Sequence, residues 1–492
     1  MRSRNLNFST RTLSVAADSP LRDLAAPQGG VEMAGPQVLT LRTPDLSGYA
    51  TAREKAHILL DAAAEVEHAL MVEYLYAAYS LRAPGGGETA AQGTALVRWV
   101  RTIVTVAKEE MGHLLTVENL LVALGLPPNL EREDFPFRSD LYPFRFHLEP
   151  LSRLSLAKYV MAESPTVPPA GTEAVFAEIA ALLAGSMVEV NHVATLYAYV
   201  GLVFAPAEGL PEIIDAEADP ARRRYLEIVQ ALGAEVVPAG EEAAWHLGAG
   251  EYTGAAAAQA DADDWRSDAG PDGAGPKVLK ATDAQSALLA LAVIAVQGEG
   301  PGNTVEGDSH FVRFLNIFRG TGTLPAFPLP DDAWQPARPV PRDPRLPEDV
   351  VAEGTLIEDP LAQAWCRVAN GSYGVLLGLI EYYLRSERAD RWVYADAAFV
   401  QMTERLRTVR EALGELPPAT AGPVEAGVPF KLPAGAINLP AEAGARRAAM
   451  QARYAETMGA LEALRAALLA GGVGDGVIAG WREAYQAEHD AL

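Results

Sequence analysis

A glutamate in the middle of a long apolar helical face constrains the fold of this chain most strongly. Between Leu96 and Gly125 apolar residues recur in alternating steps of four and three, which predicts one face of a single long helix. That face comprises Ile103, Ala107, Glu110, Leu114, Val117, Leu121 and Leu124. Because a bare carboxylate on a buried face is costly, its charge needs a compensating group nearby.

The histidine three residues after this glutamate offers one such group. Glu110 and His113 lie on the same side of the predicted helix. Glu-x-x-His is the spacing by which helices of carboxylate-bridged di-iron bundles present two ligands to one metal. A partly exposed glutamate beside a hydrogen-bonded core histidine would show the same spacing. Both interpretations of the pair therefore stay open at this point.

A second predicted helix, over Thr51–Arg82, repeats the pattern of an acid within an apolar face. Glu67 interrupts its face, and Tyr74 follows two turns later on the same side. His68 borders the face and could support a ligand. Glu73 falls off the face, so we expect it at the surface.

Two more predicted helices bring further acids. Over Thr172–Phe204 the apolar face contains Glu189, and His192 follows at i+3, which makes a second Glu-x-x-His. A short helix over Leu151–Ser164 ends beside Glu163. With only eight histidines in the chain, two such pairs are hard to obtain by chance.

These acids match the pattern of a ferritin-like four-helix bundle with a two-metal carboxylate site. Such a site takes a glutamate from each of two helices and a Glu-x-x-His pair from each of the other two. In sequence order the matching residues are Glu67, Glu110 with His113, Glu163, and Glu189 with His192. Two divalent ions bring four positive charges, which about four carboxylates neutralise. Bridging carboxylates would hold the metals about 3.5–4 Å apart, where O₂ or peroxide can bind.

The composition limits which metals and which partners suit this chain. The net charge of −24 argues against nucleic acid and anionic membranes as main partners. Cys366 is the only cysteine, so an intrachain disulfide and a thiolate cluster are excluded, and carboxylate ligands favour iron or manganese. The first fifty residues lack an apolar signal segment, and no run of 18 apolar residues exists. These features predict a soluble cytoplasmic protein.

The chain is predicted to be all-α, with additional C-terminal helices and long irregular loops around the bundle. Residues 234–277 are rich in Ala, Gly and Asp, which predicts a low-complexity insertion in which His246 is solvated. The remaining predicted regions are a flexible N-terminal segment (1–50), a metal-binding domain (51–320), a Pro-rich linker (321–350), and a helical C-terminal region packing on the bundle (351–492).

Several sequence stretches are distinctive when taken together. They are EVEHALMVEYLYAAYSL, KEEMGHLLTVENLLVALG, MAESP, and QGEG followed by SHFVRFLNI. They resemble the ferritin-like domain of iminophenyl-pyruvate dimer synthases, which also occurs in enzymes of violacein and rebeccamycin assembly that couple two indole-pyruvate imines. The later stretches GSYGVLLGLIEYYL, LGELPPATAGP and GVPFKLP resemble the C-terminal part of the same family.

The resemblance implies a different completion of the metal site. Glu67, Glu110, His113 and Glu163 keep their places in the family pattern, and Glu299 with His310 supplies the other half. Glu189 and His192 match no motif of the family and depend on helical spacing alone. Which of the two Glu and His pairs completes the site therefore stays open.

The resemblance also implies a function. It suggests a metal-dependent, di-iron oxidoreductase of natural-product biosynthesis that uses O₂ or peroxide. The substrate would be an amino-acid-derived imine or a related aromatic small molecule, which the enzyme oxidises or couples oxidatively. Tyr74 would relay protons or electrons beside the metals. Manganese and copper stay open as alternative metals, a homodimer stays open as the assembly, and a ferritin-like metal-storage protein without catalysis is the alternative function.

Overall fold

The computed structural model is mostly helical. None of its described helices combines the length and the apolar character that a membrane span requires. The residues that the structure describes are 6–16, 18–24, 37–85, 87–138, 141–142, 144–165, 169, 171–184, 193–265, 276–298, 308–350, 353–387, 389–416, 425–433 and 437–492.

The helices follow one another along the whole chain, whereas the strands are short and paired in twos. The helices are α1 (Ala52–Ser80), α2 (Ala90–Ala123), α3 (Arg153–Ala162), α4 (Glu173–Leu183), α5 (Val193–Phe204), α6 (Leu210–Ala216), α7 (Pro220–Val236), α8 (Glu242–Trp245), α9 (Ala284–Gln297), α10 (His310–Arg319), α11 (Pro360–Leu384), α12 (Trp392–Val400), α13 (Leu406–Leu413), α14 (Ala443–Ala470) and α15 (Trp481–Ala491). The strands are β1 (Phe8–Val15), β2 (Gln37–Pro44), β3 (Phe137–Arg138), β4 (Arg145–Phe146), β5 (Pro344–Arg345) and β6 (Thr355–Leu356).

Local capping defines where the two longest helices of the bundle begin. Thr51 caps α1 in a capping box with Glu54, and Thr89 caps α2 in the same way with Gln92. Helix α2 therefore begins at Ala90, several residues before the apolar repeat that predicts it. α1 and α2 pack along each other, and each buries the face that contains its central glutamate.

Four helices close the bundle. α5 packs on α1 and α9, and α9 returns to α2, so that α1, α2, α9 and α5 form a ring. α3 and α10 pack against each other, and α10 also contacts α2. Asp283 caps α9 in a capping box with Ser286. The predicted four-helix architecture is therefore confirmed, with α3 and α10 added beside it.

The single helix predicted over Thr172–Phe204 is instead two described helices. α4 ends at Leu183, and Ala184 lies in a turn. α5 begins at Val193, and residues 185–192 lie outside the described residues. Apolar spacing continues across a helix end because it depends on side-chain type, so it does not reveal where α4 stops.

The N-terminal region contains a β-hairpin where a flexible segment is predicted. β1 and β2 pair antiparallel over their full length, from Phe8 opposite Pro44 to Val15 opposite Gln37. Leu13, Val15, Leu39 and Leu41 are buried, and β2 packs on α5. The alternation of Leu and Val with Thr and Ser places one face of the hairpin against the bundle.

The described part of the predicted insertion is packed. His246 is half-buried, and its Nδ1 lies 3.1 Å and 3.0 Å from the carbonyl oxygens of Leu202 and Ala205, so it is not the solvated residue predicted. Trp265 is fully buried. On α2, Asn119 donates from its side chain to the carbonyl of Ala260 at 3.0 Å. These contacts attach residues 237–265 to the bundle.

The Pro-rich stretch also packs against the bundle. The Arg82 amide donates to the Pro336 carbonyl at 2.9 Å, and the Arg338 amide donates to the Ser80 carbonyl at 2.7 Å. Val340 is buried. The stretch therefore pairs with the C-terminal end of α1.

Candidate metal centre

Helix α2 supplies the centre of the candidate site. Glu110 and His113 are both almost fully buried, at 1% and 2% exposure, and His113 Nδ1 lies 2.9 Å from Glu110 Oε2. One helical turn separates the two residues, so both side chains leave α2 on the same side. The interpretation of Glu110 as a partly exposed residue is therefore excluded.

Helix α1 faces this pair with the acid of its own apolar face. Glu67 is buried, and its Oε2 lies 3.3 Å from His113 Nδ1. The hydroxyl of Tyr197, on α5, donates a hydrogen bond to Glu67 Oε1. Glu67, Glu110 and His113 form a first group of potential metal ligands, whose ligand atoms lie within 4.8 Å of one another.

Two helix ends supply the opposite side of the site. Glu163 is the C-terminal cap of α3, and His310 is the first residue of α10, directly after its cap Ser309. His310 Nδ1 lies 2.9 Å from Glu110 Oε1 and 3.5 Å from Glu163 Oε2. These three residues form a second group of ligand atoms within 4.8 Å.

The two groups share Glu110, so its carboxylate stands between them. Oε2 of Glu110 faces His113, and Oε1 faces His310. The two imidazole rings lie 5.4 Å apart between centroids, at an angle of 28°. A carboxylate that presents one oxygen to each of two ligand groups has the arrangement of a bridging ligand.

Three polar atoms of the site converge in a way that fits metal ions. Glu110 Oε1 and Glu163 Oε2 lie 2.9 Å and 3.5 Å from His310 Nδ1, and among the described residues none of these three buried atoms makes a hydrogen bond of good geometry. Buried polar atoms are normally satisfied, and three unsatisfied ones that converge need an explanation. Carboxylate oxygens and imidazole nitrogens are the donors that iron and manganese take. The residues present therefore fit a carboxylate- and histidine-bound metal pair.

The protonation of the site shows which protons a bound metal ion would replace. Burial raises the pKa of Glu110 to about 7, with Glu163 adding to the effect and His310 opposing it. Burial disfavours a charged His113, yet its hydrogen bonds to Glu110 and Glu67 raise its pKa to about 10. Although burial disfavours charge, His310 and Glu67 also have pKa values shifted toward their ionised forms. In the metal-free protein, imidazolium groups compensate the carboxylates, and metal binding would displace those protons.

Tyr74 lies at the edge of the second group. Its hydroxyl donates to Glu163 Oε1, and it is fully buried. Its ring packs edge-on against Tyr159, with centroids 5.0 Å apart. Burial and the charge of Glu163 raise the pKa of Tyr74 well above its usual range, which keeps the phenol protonated.

The structure brings together five of the eight predicted ligands: Glu67, Glu110, His113, Glu163 and His310. Glu189, His192 and Glu299 lie outside the described residues. Glu73, predicted at the surface, is fully buried instead, because α3 and the chain around His147 cover that side of α1. His68 faces away from the site, since its Nε2 meets the Tyr373 hydroxyl.

Three residues around the site are not anticipated by the sequence patterns. They are Tyr197, which donates to Glu67; Glu109, whose Oε2 lies 3.0 Å from His310 Nε2; and Gln297, whose Oε1 lies 3.3 Å from His113 Nε2. Glu109 directly precedes the ligand Glu110, and Gln297 begins the QGEG stretch, so their sequence positions offered a signal. Tyr197 has none.

A cavity of about 1050 Å³ lies elsewhere, between the loop after α2 and the C-terminal helices. Its lining includes Arg132, Arg367 and Lys431 but none of the five clustered ligands. Its cations are already engaged: Arg367 pairs with Glu348, and Lys431 pairs with Asp134. The cavity and the candidate metal site therefore lie in different parts of the protein.

Comparison with known proteins agrees with the helical fold. Residues 60–221 match the ferritin-like family model. The chain carries a ferritin-like domain. The matched range spans the clustered residues of α1, α2 and α3, whereas His310 of the second ligand group lies beyond it.

Two curated relatives extend the similarity beyond the ferritin-like domain. The chain is 27% identical over 416 residues to the 2-imino-3-(indol-3-yl)propanoate dimerase of Chromobacterium violaceum, which covers 78% of this chain and 34% of the relative. It is 26% identical over 416 residues to the dichlorochromopyrrolate synthase of Lentzea aerocolonigenes, which covers 78% of this chain and 36% of the relative. The predicted resemblance to imine dimer synthases is thereby confirmed at family level.

The chain thus spans about a third of the length of these relatives. No solved structure gives a significant match.

Proposed function

We propose that the ferritin-like domain holds two iron ions and that the chain oxidises or oxidatively couples an amino-acid-derived imine or a related aromatic small molecule. The observation that carries this proposal is the position of Glu110, whose two oxygens face two separate ligand groups. Iron at such a site supplies redox chemistry with O₂ or peroxide. Manganese and copper are the alternative metals.

The reaction class follows from the relatives by analogy. One relative is named for dimerising an indole-bearing imine, and the other for making a chromopyrrolate. Joining two imine molecules by one new carbon–carbon bond releases two electrons and two protons. Peroxide accepts both pairs and becomes two molecules of water, and O₂ accepts them and becomes peroxide.

The residues around the ligands have defined parts in this proposal. Glu67 and Glu163 each accept a hydrogen bond from a buried tyrosine, which holds one oxygen of each carboxylate and leaves the other for a metal. Tyr74 stays protonated next to Glu163, and it would take up the proton that the substrate loses while it passes its own proton to Glu163 Oε1. The buried apolar surroundings exclude water from the centre.

We further propose that Glu299, or Glu189 with His192, completes the coordination from the segments outside the described residues. Residues 51–320 would act as the metal-binding domain. The stretch 321–350 and the C-terminal helices of 351–492 would stabilise it from outside.

Metal content tests the proposal most directly. Purified protein is loaded anaerobically with Fe²⁺, desalted, and analysed by mass spectrometry for iron per chain. We expect about two iron ions in the wild type, and a large loss in Glu110→Gln because both groups use that carboxylate.

Glu118→Gln is the matched control. Glu118 lies on the same helix, is equally buried, and also has one carboxylate oxygen without a partner among the described residues, but it belongs to neither ligand group. Iron content that falls equally in both variants, or a wild type without stoichiometric iron, would refute the proposed centre.

Turnover tests the reaction. An amino-acid oxidase generates the imine of indole-3-pyruvate or phenylpyruvate in place, and mass spectrometry follows a product of twice the substrate mass less two hydrogens. We expect this product with the iron-loaded wild type and not with Glu110→Gln. Iron binding without any oxidised product across several aromatic imines would favour metal storage instead.

A further inference from the structure

Among the residues that the structure describes, the two ligand groups contain the same types of ligand and differ in one supporting contact. Each contains the shared Glu110, one further glutamate that accepts from a tyrosine, and one histidine. They differ in the residue behind the histidine. His310 Nε2 lies 3.0 Å from Glu109 Oε2, whereas His113 Nε2 lies 3.3 Å from the amide oxygen of Gln297.

The carboxylate behind His310 is firmly held. Arg313 contacts both of its oxygens, at 2.5 Å to Oε2 and 3.2 Å to Oε1 of Glu109. Arg313 in turn binds Asp308 through two contacts of 2.8 Å and 2.7 Å. Glu109 and Arg313 are 15% and 14% exposed at their side chains, while Asp308 is 83% exposed. A line of alternating charges therefore runs from the surface to His310.

This arrangement also determines which nitrogen of His310 is available to bind a metal ion. Nε2 meets Glu109, so it is the nitrogen that carries the donated proton. Nδ1 faces the carboxylate oxygens of Glu110 and Glu163, at 2.9 Å and 3.5 Å, and makes no hydrogen bond of good geometry among the described residues. A carboxylate behind a ligating imidazole orients the ring and makes its other nitrogen a stronger donor to a metal. The neutral amide behind His113 has the weaker effect.

We infer that Glu109 is a positioning residue that makes the Glu110–Glu163–His310 group the tighter of the two metal positions. The first metal ion binds there. The second binds at the Glu67–Glu110–His113 group and exchanges more readily. This inference rests on the proposed two-metal site, and it adds an order of filling that the shared ligand types alone would not create.

Stepwise titration of the metal-free protein with Mn²⁺ tests this order of filling. Calorimetry measures the affinity of each step, and electron paramagnetic resonance distinguishes a single bound ion from two coupled ions. We expect the wild type to bind in two steps. His310→Ala should lose the tight step and His113→Ala the weak one. Glu109→Gln should weaken the tight step by about 10–100-fold, the usual cost of losing such a support, and shift the weak step far less.

The reciprocal variant Gln297→Glu provides the matched test, because it places a carboxylate behind His113 instead. We expect this variant to bind the second Mn²⁺ more tightly, so that the affinities of the two steps become more similar. This variant also keeps the inference testable if Glu109→Gln folds poorly. A merely structural role of Glu109 would move both steps together or neither.

The possible failures are distinguishable. If the wild type binds no Mn²⁺ and no Fe²⁺, the proposed two-metal site fails. If the wild type binds two ions but Glu109→Gln and Gln297→Glu leave both steps unchanged, only the order of filling is overturned. If the tight step disappears in His113→Ala instead of His310→Ala, the assignment of the tighter position is reversed and the inference is refuted.

Discussion

Buried carboxylates occur in two kinds of surroundings in this protein. In the middle of the bundle, Glu67, Glu110 and Glu163 meet two histidines and one another. Elsewhere, some buried acids pair with a basic side chain, as Glu149 does with Lys158 and Glu381 with Arg385. Others have few partners, as is the case for Asp61, Glu73 and Glu118. Burial alone therefore does not identify a ligand. Convergence of several acids on histidine nitrogens is what supports the proposed ligands, because it concentrates negative charge that cations balance.

The isolated acids lose hydration on burial with little compensation, whereas the clustered acids gain contacts with histidines. Burial raises the pKa values of Glu73 and Glu118 well above the usual range, so the neutral acid is the form that the fold accommodates. Each has one oxygen without a hydrogen bond among the described residues. The contrast predicts that changes at isolated acids alter stability and changes at clustered acids alter metal binding.

The largest effect is expected where a buried acid has one buried cation as its main partner. Lys158→Met leaves Glu149 buried, and the cation that remains beside it among the described residues is the half-exposed Arg342, at 3.5 Å. Losing one partner of a buried pair costs about 3–5 kcal/mol, so the free energy of unfolding in urea should fall by that amount. Lys280→Met is the control. Its pair with Asp261 is exposed and should contribute at most about 1 kcal/mol. Equal losses in the two variants would contradict the role of burial.

Asp61 gives the next largest effect, and it depends on pH. Burial raises the pKa of Asp61 from 3.8 to about 7. Between these values the unfolded chain releases the proton and the folded protein keeps it, so stability is lost as the pH rises from about 4 to 7. Asp61→Asn should therefore be more stable than the wild type at pH 8, by up to about 4 kcal/mol at 1.36 kcal/mol per pKa unit.

The same variant should show almost no gain at about pH 3, below the ordinary pKa of 3.8, where Asp61 is largely protonated in both states. Urea unfolding of both proteins across this range measures the difference. A gain that does not change with pH would mean that titration of Asp61 is not its cause.

Metal binding should separate the clustered acids from the isolated ones. Free Fe²⁺ at one hundred times its dissociation constant should raise the free energy of unfolding of the wild type by about 2.7 kcal/mol. Calorimetric melting with and without Fe²⁺ measures this change under anaerobic conditions. Glu118→Gln should retain it and Glu110→Gln should lose it. A metal-induced shift that survives in Glu110→Gln would place the binding site elsewhere.

The smallest effect concerns the tyrosines that support the clustered glutamates. Tyr197→Phe and Tyr74→Phe each remove one hydrogen bond to a ligand carboxylate. Each should weaken metal binding about tenfold, or about 1.4 kcal/mol, as measured by calorimetry. Only Tyr74→Phe should also slow turnover of the fully loaded protein. Equal turnover in the two variants would argue against a proton relay through Tyr74.

The helical part of the site could be predicted from the sequence. Glu67 and Glu110 interrupt regular apolar repeats, so their inward position follows from the 3.6-residue period of the helix. His113 follows from the spacing of one turn. The apolar repeats do not predict burial where a residue is covered by segments that are distant in the sequence. Glu73 lies off the apolar face of α1 and is nevertheless covered, because residues of α3 and the chain near His147 pack over it.

The sequence by itself determined that α1 and α2 would each present an acid on an internal face, because those positions depend only on helical periodicity. Only the tertiary structure decided that Glu163 and His310 lie at the same centre. Both residues stand at helix ends, and their meeting depends on how α3 and α10 pack together. The supporting contacts of Glu109, Tyr197 and Gln297 were decided there too, since hydrogen bonds between distant segments leave no periodic trace in the chain.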